Sequence, residues 1–207
     1  MALLTALDPE PGTGGIRLQV DGTPFATVAL GDVAELGLRE GQTLDPRVRA
    51  TLVARAELFS ARSMALRALA NRPLPARELV RRLTRKGQPK PLAETAVAVL
   101  VDAGLVNDAE FARHYVRTRV RRRVGFSRLV AELRRLGVEE ATATLAVRET
   151  LDAEGVDERG LVREAAERKL RSLGGLDRQQ RRRRLRAYLL RRGFARAEIG
   201  EVMRGVA

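Results

Sequence analysis

Apolar positions along this chain change their period once, near residue 45. Between residues 15 and 45 the period is two: Ile16-Arg17-Leu18-Gln19-Val20 alternates apolar and polar side chains, as a strand with one buried face requires. Asp21-Gly22 follows as a two-residue hairpin turn, and Pro24-Phe25-Ala26-Thr27-Val28-Ala29-Leu30 supplies the returning strand. A unit of about thirty residues buries little core alone, so the pattern predicts that it packs on the first helices or gathers Leu36, Leu38 and Leu44. Ahead of it, Gly12-Thr13-Gly14-Gly15-Ile16-Arg17 breaks the dinucleotide-binding pattern at its last glycine and reads as a tether, so residues 1–14 are expected to be a flexible N-terminus.

From Asp45 onward the period becomes helical. All eight prolines lie at or before Pro91, and the later chain is rich in Ala, Leu, Arg and Glu, which favours continuous helix. One spacing then recurs. Leu79-x3-Leu83-x3-Gly87 returns as Leu129-x3-Leu133-x3-Gly137 and as Leu185-x3-Leu189-x3-Gly193. The leucines share a helical face, and each glycine stands where a helix needs a left-handed cap. Arg85-Lys86, Arg134-Arg135 and Arg191-Arg192 precede the glycines, where cations suit the helix dipole. Amphipathic stretches flank each copy, at about 48–71, 108–123 and 157–173 before it and 91–103, 139–153 and 195–205 after it. The expected fold is therefore mainly α: a small β unit at 15–47, then three tandem three-helix repeats at 48–105, 106–155 and 156–207. Each repeat is too small to bury its apolar face alone, so an elongated, curved array of mutually supporting neighbours is expected.

Charge follows the same division. Residues 1–50 hold 4 basic and 7 acidic side chains, whereas 51–207 hold 35 and 19, so the formal charge of +13 belongs to the helical part. Arginine outnumbers lysine 36 to 3. Its planar fork suits phosphate and carboxylate, although GC-rich codons give the same bias without selection at any site. Between Glu110 and Glu132 there is no acid but there are seven arginines: Arg113, Arg117, Arg119, Arg121, Arg122, Arg123 and Arg128. Arg113, Arg117 and Arg121 step by four along one face, beside Phe111, Tyr115 and Val116. A second acid-free block, Arg178 to Ala197, holds Arg181, Arg182, Arg183, Arg184, Arg191 and Arg192 among others, and Arg77, Arg81, Arg85 and Lys86 form a shorter stripe. A solvated helix face is the plain account of any charge run. Arginines without local ion partners favour docking to phosphates or to an acidic protein face.

Several chemistries drop out. No cysteine is present and His114 is the lone histidine, so disulfides, thiolate sites and a two-histidine zinc motif are excluded. Asn107-Asp108-x-x-Phe111 reads as a helix start rather than a metal cluster, and no nucleophile, base and orienting group gather at useful spacing. Neither catalysis, metal nor cofactor is expected, and His114 is given no role. Phe126, Tyr188 and Phe194 read as core packing, and 3% aromatics supplies few base-stacking platforms. Met1 to Leu7 is apolar but has no basic n-region, and no later run approaches the about 18 apolar residues of a membrane span, so a soluble cytoplasmic protein is expected.

Gly104-Leu105-Val106-Asn107-Asp108-Ala109-Glu110-Phe111-Ala112-Arg113, followed by Arg117-Thr118-Arg119 and by the run from Gly125-Phe126-Ser127-Arg128-Leu129 to Leu136-Gly137-Val138, resembles the central signature of RecX, the bacterial regulator of the RecA recombinase. Arg77 to Leu83 with Lys86-Gly87 resembles that family's first repeat, and Leu185 to Phe194 its third, so the resemblance covers roughly residues 60–205. The hairpin is similar to an N-terminal β extension carried by some members. Leu136 departs from the usual Lys before Gly-Ile, and Pro75 stands where Ser or Thr often caps the helix, a change the first helical turn tolerates. The resemblance implies a non-enzymatic modulator lying along the groove of the RecA–single-stranded DNA filament, suppressing its ATPase and strand exchange and promoting disassembly, with consequences for recombination, DNA repair and the SOS response. On that reading Arg113, Arg117, Arg119, Arg121, Arg122, Arg123, Arg134, Arg135, Arg181, Arg182, Arg183, Arg184, Arg191 and Arg192 are filament- or DNA-binding residues, Arg77, Arg81, Arg85 and Lys86 are a secondary basic stripe, and three repeats in one chain leave a monomer. Two rivals stay open on the residues alone: an architectural or repressor-like protein that binds duplex DNA directly, and a scaffold for an acidic protein.

Overall fold

The structure is a computed structural model and describes residues 2–120 and 124–205. It divides into two compact units, Met1–Val106 and Asn107–Ala207. The first opens with strands β1 (Ala2–Glu10), β2 (Gly15–Val20) and β3 (Thr23–Ala29), a short helix α1 (Leu30–Glu35) and a two-residue strand β4 (Thr43–Leu44). The sheet order is β3-β2-β1-β4, and every neighbouring pair is antiparallel. Asp21 (φ 51°) and Gly22 (φ 75°) form the β2–β3 reversal, the left-handed pair that matches strand twist in a two-residue loop.

Residues 1–14 depart from expectation. Instead of a tether they carry β1, with Asp8 opposite Arg17 and Pro9 opposite Ile16, and Gly12 and Gly14 turn the chain back into β2. The physical reason is burial: Leu4 is fully buried with Leu18, Val28, Leu44 and Leu52, so the apolar start of the chain completes a core that the hairpin alone could not close. Leu52 belongs to helix α2 (Pro46–Asn71), so the β unit does pack on the first helix. The fit there is close: a Cβ on Gly15 would lie 2.5 Å from the Phe59 ring, which makes glycine the residue that lets strand and helix meet.

Helix α2 starts under Asp45, whose carboxylate accepts from the Arg47 and Val48 amides at 2.7 and 2.8 Å. Its far half contributes Ala61, Ala65 and Ala68 to a core shared with α3 (Ala76–Arg85) and α4 (Lys90–Asp102). The second unit repeats this plan twice. Helices α5 (Asp108–Val120), α6 (Phe126–Leu136) and α7 (Glu140–Ala153) enclose one core, and α8 (Glu158–Arg171), α9 (Arg178–Arg191) and α10 (Arg196–Arg204) enclose another. The recurring leucines are the anchors of all three cores: Leu79, Leu83, Leu129, Leu133, Leu185 and Leu189 are each buried to within 1%. Fully burying such a side chain is worth about 1.5–3 kcal/mol. Gly87, Gly137 and Gly193 lie at positive φ of 93°, 107° and 81°, as helix-terminating residues. The chain is thus mainly helical, with three three-helix units and a small antiparallel sheet at its N-terminus. No helix among the described residues is long and apolar enough to cross a membrane.

Candidate docking interface

The middle set of arginines is held by helices α5 and α6. Asn107 caps α5, its Oδ1 accepting from the Glu110 amide at 3.0 Å. The following turns bury Ala112 and Val116 and leave Arg117 exposed. The expectation that the acid-free run leaves its arginines without ion partners does not hold in three dimensions. Glu132 enters from α6 and gathers Arg128 at 2.9 Å, Arg119 at 3.7 Å and the Tyr115 hydroxyl, which donates to it at 3.0 Å. Arg119 also lies over the Tyr115 ring, 3.5 Å from its centroid. Arg113 faces Glu149 at 3.8 Å and Arg134 faces Glu140 at 3.3 Å. Burial tends to raise the Glu132 carboxyl, but hydrogen bonds from Arg128 and Tyr115 and the charges of Arg128 and Arg119 hold it below its ordinary value. Part of the middle set therefore ties α5, α6 and α7 to one another. Arg117 and Arg135 remain exposed with no described carboxylate beside them, and His114 is exposed on α5. Arg121, Arg122 and Arg123 lie outside the described residues.

In the shorter stripe, Glu78 holds Arg81 at 3.1 Å and Arg85 at 2.9 Å, while Arg77 and Lys86 stay exposed. The last repeat is different. Asp177 caps α9 by accepting from the Gln180 amide at 2.8 Å, and the cationic helix that follows finds mostly backbone partners. Arg181 donates to the Leu176 carbonyl and Arg182 to the Met203 carbonyl, at 3.2 and 2.9 Å. Arg192 lies half-buried over the Tyr188 ring, with its guanidinium 5.7 Å from the centroid. Arg183, Arg184 and Arg191 are exposed, again with no described carboxylate beside them.

Two of these sets meet at a junction that residue patterns did not disclose. The carbonyls at the C-terminus of α9 accept from the amides at the N-terminus of α6: Gly125 donates to Arg192 at 2.9 Å and Ser127 to Gly193 at 3.2 Å. The Arg128 guanidinium reaches the Arg191 carbonyl at 3.3 Å. Groups that helix ends ordinarily leave orphaned thus satisfy one another across two repeats. Contact this close requires glycine on both sides, because a Cβ on Gly125 would stand 2.4 Å from the Gly193 carbonyl oxygen and one on Gly193 would stand 2.4 Å from the Arg128 amide. Burial raises the Glu158 carboxyl above its ordinary value; the charges of Glu198 and Asp152 add to the rise, and the nearby Phe126 amide opposes it.

Among the described residues this surface offers exposed cationic forks suited to phosphate or carboxylate. Residues 107–147 match the family model described as the second three-helix domain of RecX, and residues 157–203 match that of the third. The chain is 38% identical over 146 residues to a regulatory protein RecX of Streptomyces coelicolor, covering 70% of this chain and 76% of that one. It is 42% identical over 128 residues to a regulatory protein RecX of Amycolatopsis mediterranei, covering 61% and 71%. Among solved structures, a crystal structure of regulatory protein RecX superposes with a TM-score of 0.82 over 98% of both chains at 20% identity. RecX from Lactobacillus salivarius superposes with a TM-score of 0.61 over 72% of this chain and 96% of that one, at 18% identity. These likenesses establish that the chain belongs to the RecX family of regulatory proteins.

Proposed function

We propose that this chain is a non-enzymatic regulator of the RecA recombinase that lies along the RecA–single-stranded DNA filament and inhibits its ATPase and strand exchange, acting in recombination, DNA repair and the SOS response. The observation that carries the reading is the set of exposed arginines on a RecX-family chain that no described carboxylate engages: Arg117 and Arg135 in the middle repeat, and Arg183, Arg184 and Arg191 in the last. An arginine already tied to a carboxylate must lose that partner before it docks, whereas these have only water to shed. Arg121, Arg122 and Arg123 join the set on sequence grounds. The repeats divide at 48–105, 106–155 and 156–207, the protein works as a cytoplasmic monomer, and it needs no cofactor.

The test is RecA's hydrolysis of ATP on single-stranded DNA, titrated with this protein at near-physiological salt. Inhibition well below one molecule per RecA monomer is expected. No inhibition, together with salt-sensitive retention of duplex DNA, would replace this reading with that of an architectural DNA-binding protein.

A further inference from the structure

Helices α9 and α10 leave a groove of about 620 Å³ between them. Its floor is apolar: Ile199 and Met203 are buried beneath it, Ala187 lines it, and Leu190 is 42% exposed at its side. Its rim is cationic, formed by the exposed Arg183, Arg186 and Arg196, and no described carboxylate pairs with any of the three. Gly200 lies in the middle of α10 and lines the same groove. A glycine inside a helix costs about 0.5–1 kcal/mol relative to alanine. Here the fold itself offers no reason for it: Gly200 has no left-handed backbone, and a Cβ built on it would meet nothing within 4 Å. What the missing side chain does is keep the groove open.

We infer that this groove receives an acidic amphipathic helix of a protein partner, whose apolar side chains seat over Ile199, Met203 and Leu190 while its carboxylates engage Arg183, Arg186 and Arg196. The occupant follows from chemistry on both levels of the groove. An apolar floor between two helices takes helix anchors spaced at i, i+3 or i+4, and i+7, and methionine adapts to their shapes. Arginine forks above it match carboxylates two atoms to two. A single-stranded nucleic acid fits less well, because no aromatic ring lines the groove to stack a base. The inference deepens the proposed function, and rests on it, in assigning the last repeat to protein contact rather than to DNA.

The test uses the full chain and no RecA, so its outcome is separable from that of the ATPase titration. The probe is a fluorescein-labelled helical peptide of glutamates with leucines at i, i+4 and i+7, read by anisotropy beside labelled oligo-dT. The wild-type protein is expected to bind the peptide, and Gly200→Leu, which fills the groove at an open position and favours the helix, is expected to weaken it at least about tenfold, the scale of losing a buried anchor. Arg183→Glu with Arg186→Glu is expected to weaken it similarly, with helical circular dichroism unchanged. Binding of oligo-dT is expected to be indifferent to Gly200→Leu. Peptide binding that is absent in the wild type, or that survives Gly200→Leu in full, would overturn the inference. So would a loss of oligo-dT binding in Gly200→Leu equal to the loss of peptide binding, which would make the occupant a nucleic acid.

Discussion

The middle and last repeats share one plan and are both rich in arginine, yet they use it differently. In the middle repeat Arg113, Arg119, Arg128 and Arg134 each meet a carboxylate, and one acid, Glu132, holds two of them together with Tyr115. In the last repeat Arg181 and Arg182 meet backbone carbonyls, and Arg183, Arg184, Arg186, Arg191 and Arg196 are left to solvent. Both blocks are free of acid along the chain, so the difference is made by what the fold brings near. A run of arginines describes a surface only after its neighbours in space are counted.

The largest effect is expected where the two repeats interlock. Gly125 has an ordinary φ of −74° but no room for a Cβ, so Gly125→Ala is expected to cost about 2–4 kcal/mol by forcing the α9 and α6 ends apart. Gly87→Ala is the control, since that glycine has a positive φ and open space around it and is expected to lose only about 1–2 kcal/mol. Urea midpoints measure both, and equal losses would show that the junction is loose.

A smaller effect is expected inside the middle repeat. Glu132→Gln weakens hydrogen bonds from Arg128 and Tyr115 and leaves two cations without their counter-charge, at a cost of about 1–2 kcal/mol near neutral pH. Because the folded-state carboxyl lies below its ordinary value, this stabilisation is present above the ordinary glutamate range and disappears as pH falls through the depressed value. The penalty of Glu132→Gln should shrink with it. A penalty independent of pH would mean that shape rather than charge matters there.

The smallest effect has the opposite sign. Glu158 has a raised value in the folded state, so its ionisation weighs against folding above that value, and the cost fades as pH falls through it toward the ordinary range. Glu158→Gln removes the charge at nearly constant shape and is expected to raise the urea midpoint slightly at neutral pH, with the gain vanishing in acid. A loss at neutral pH would show that the charge at the α6 N-terminus outweighs its burial.

Much of this architecture is legible in the residues because a repeat states its rule three times: Leu79, Leu129 and Leu185 with their partners four residues on mark the core face, and Gly87, Gly137 and Gly193 mark where each helix stops. The hairpin is legible from Asp21-Gly22. Strand β1 is not, because Gly12 and Gly14 signal a break in the chain equally well as a tether or as a turn, and only Leu4 packing on Leu18 and Val28 decides between them. Glu132 carries a readable signal at four residues beyond Arg128, but its hold on Arg119 depends on the angle between two helices. Glycine at 125 suits the α6 N-cap, but the atom it makes room for lies 68 residues along the chain, at Gly193.

The central claim is that the arginines outside ion pairs do the docking. It is tested most directly by comparing two variants in RecA's ATP hydrolysis on single-stranded DNA: Arg183→Ala with Arg184→Ala and Arg191→Ala in the last repeat, and Arg113→Ala with Arg119→Ala in the middle one. The first variant is expected to need about tenfold or more protein for the same inhibition, with an unchanged urea midpoint, while the second is expected to inhibit nearly as the wild type does but to unfold more easily. Full inhibition by the last-repeat variant, or its loss only in the middle-repeat variant, would contradict it.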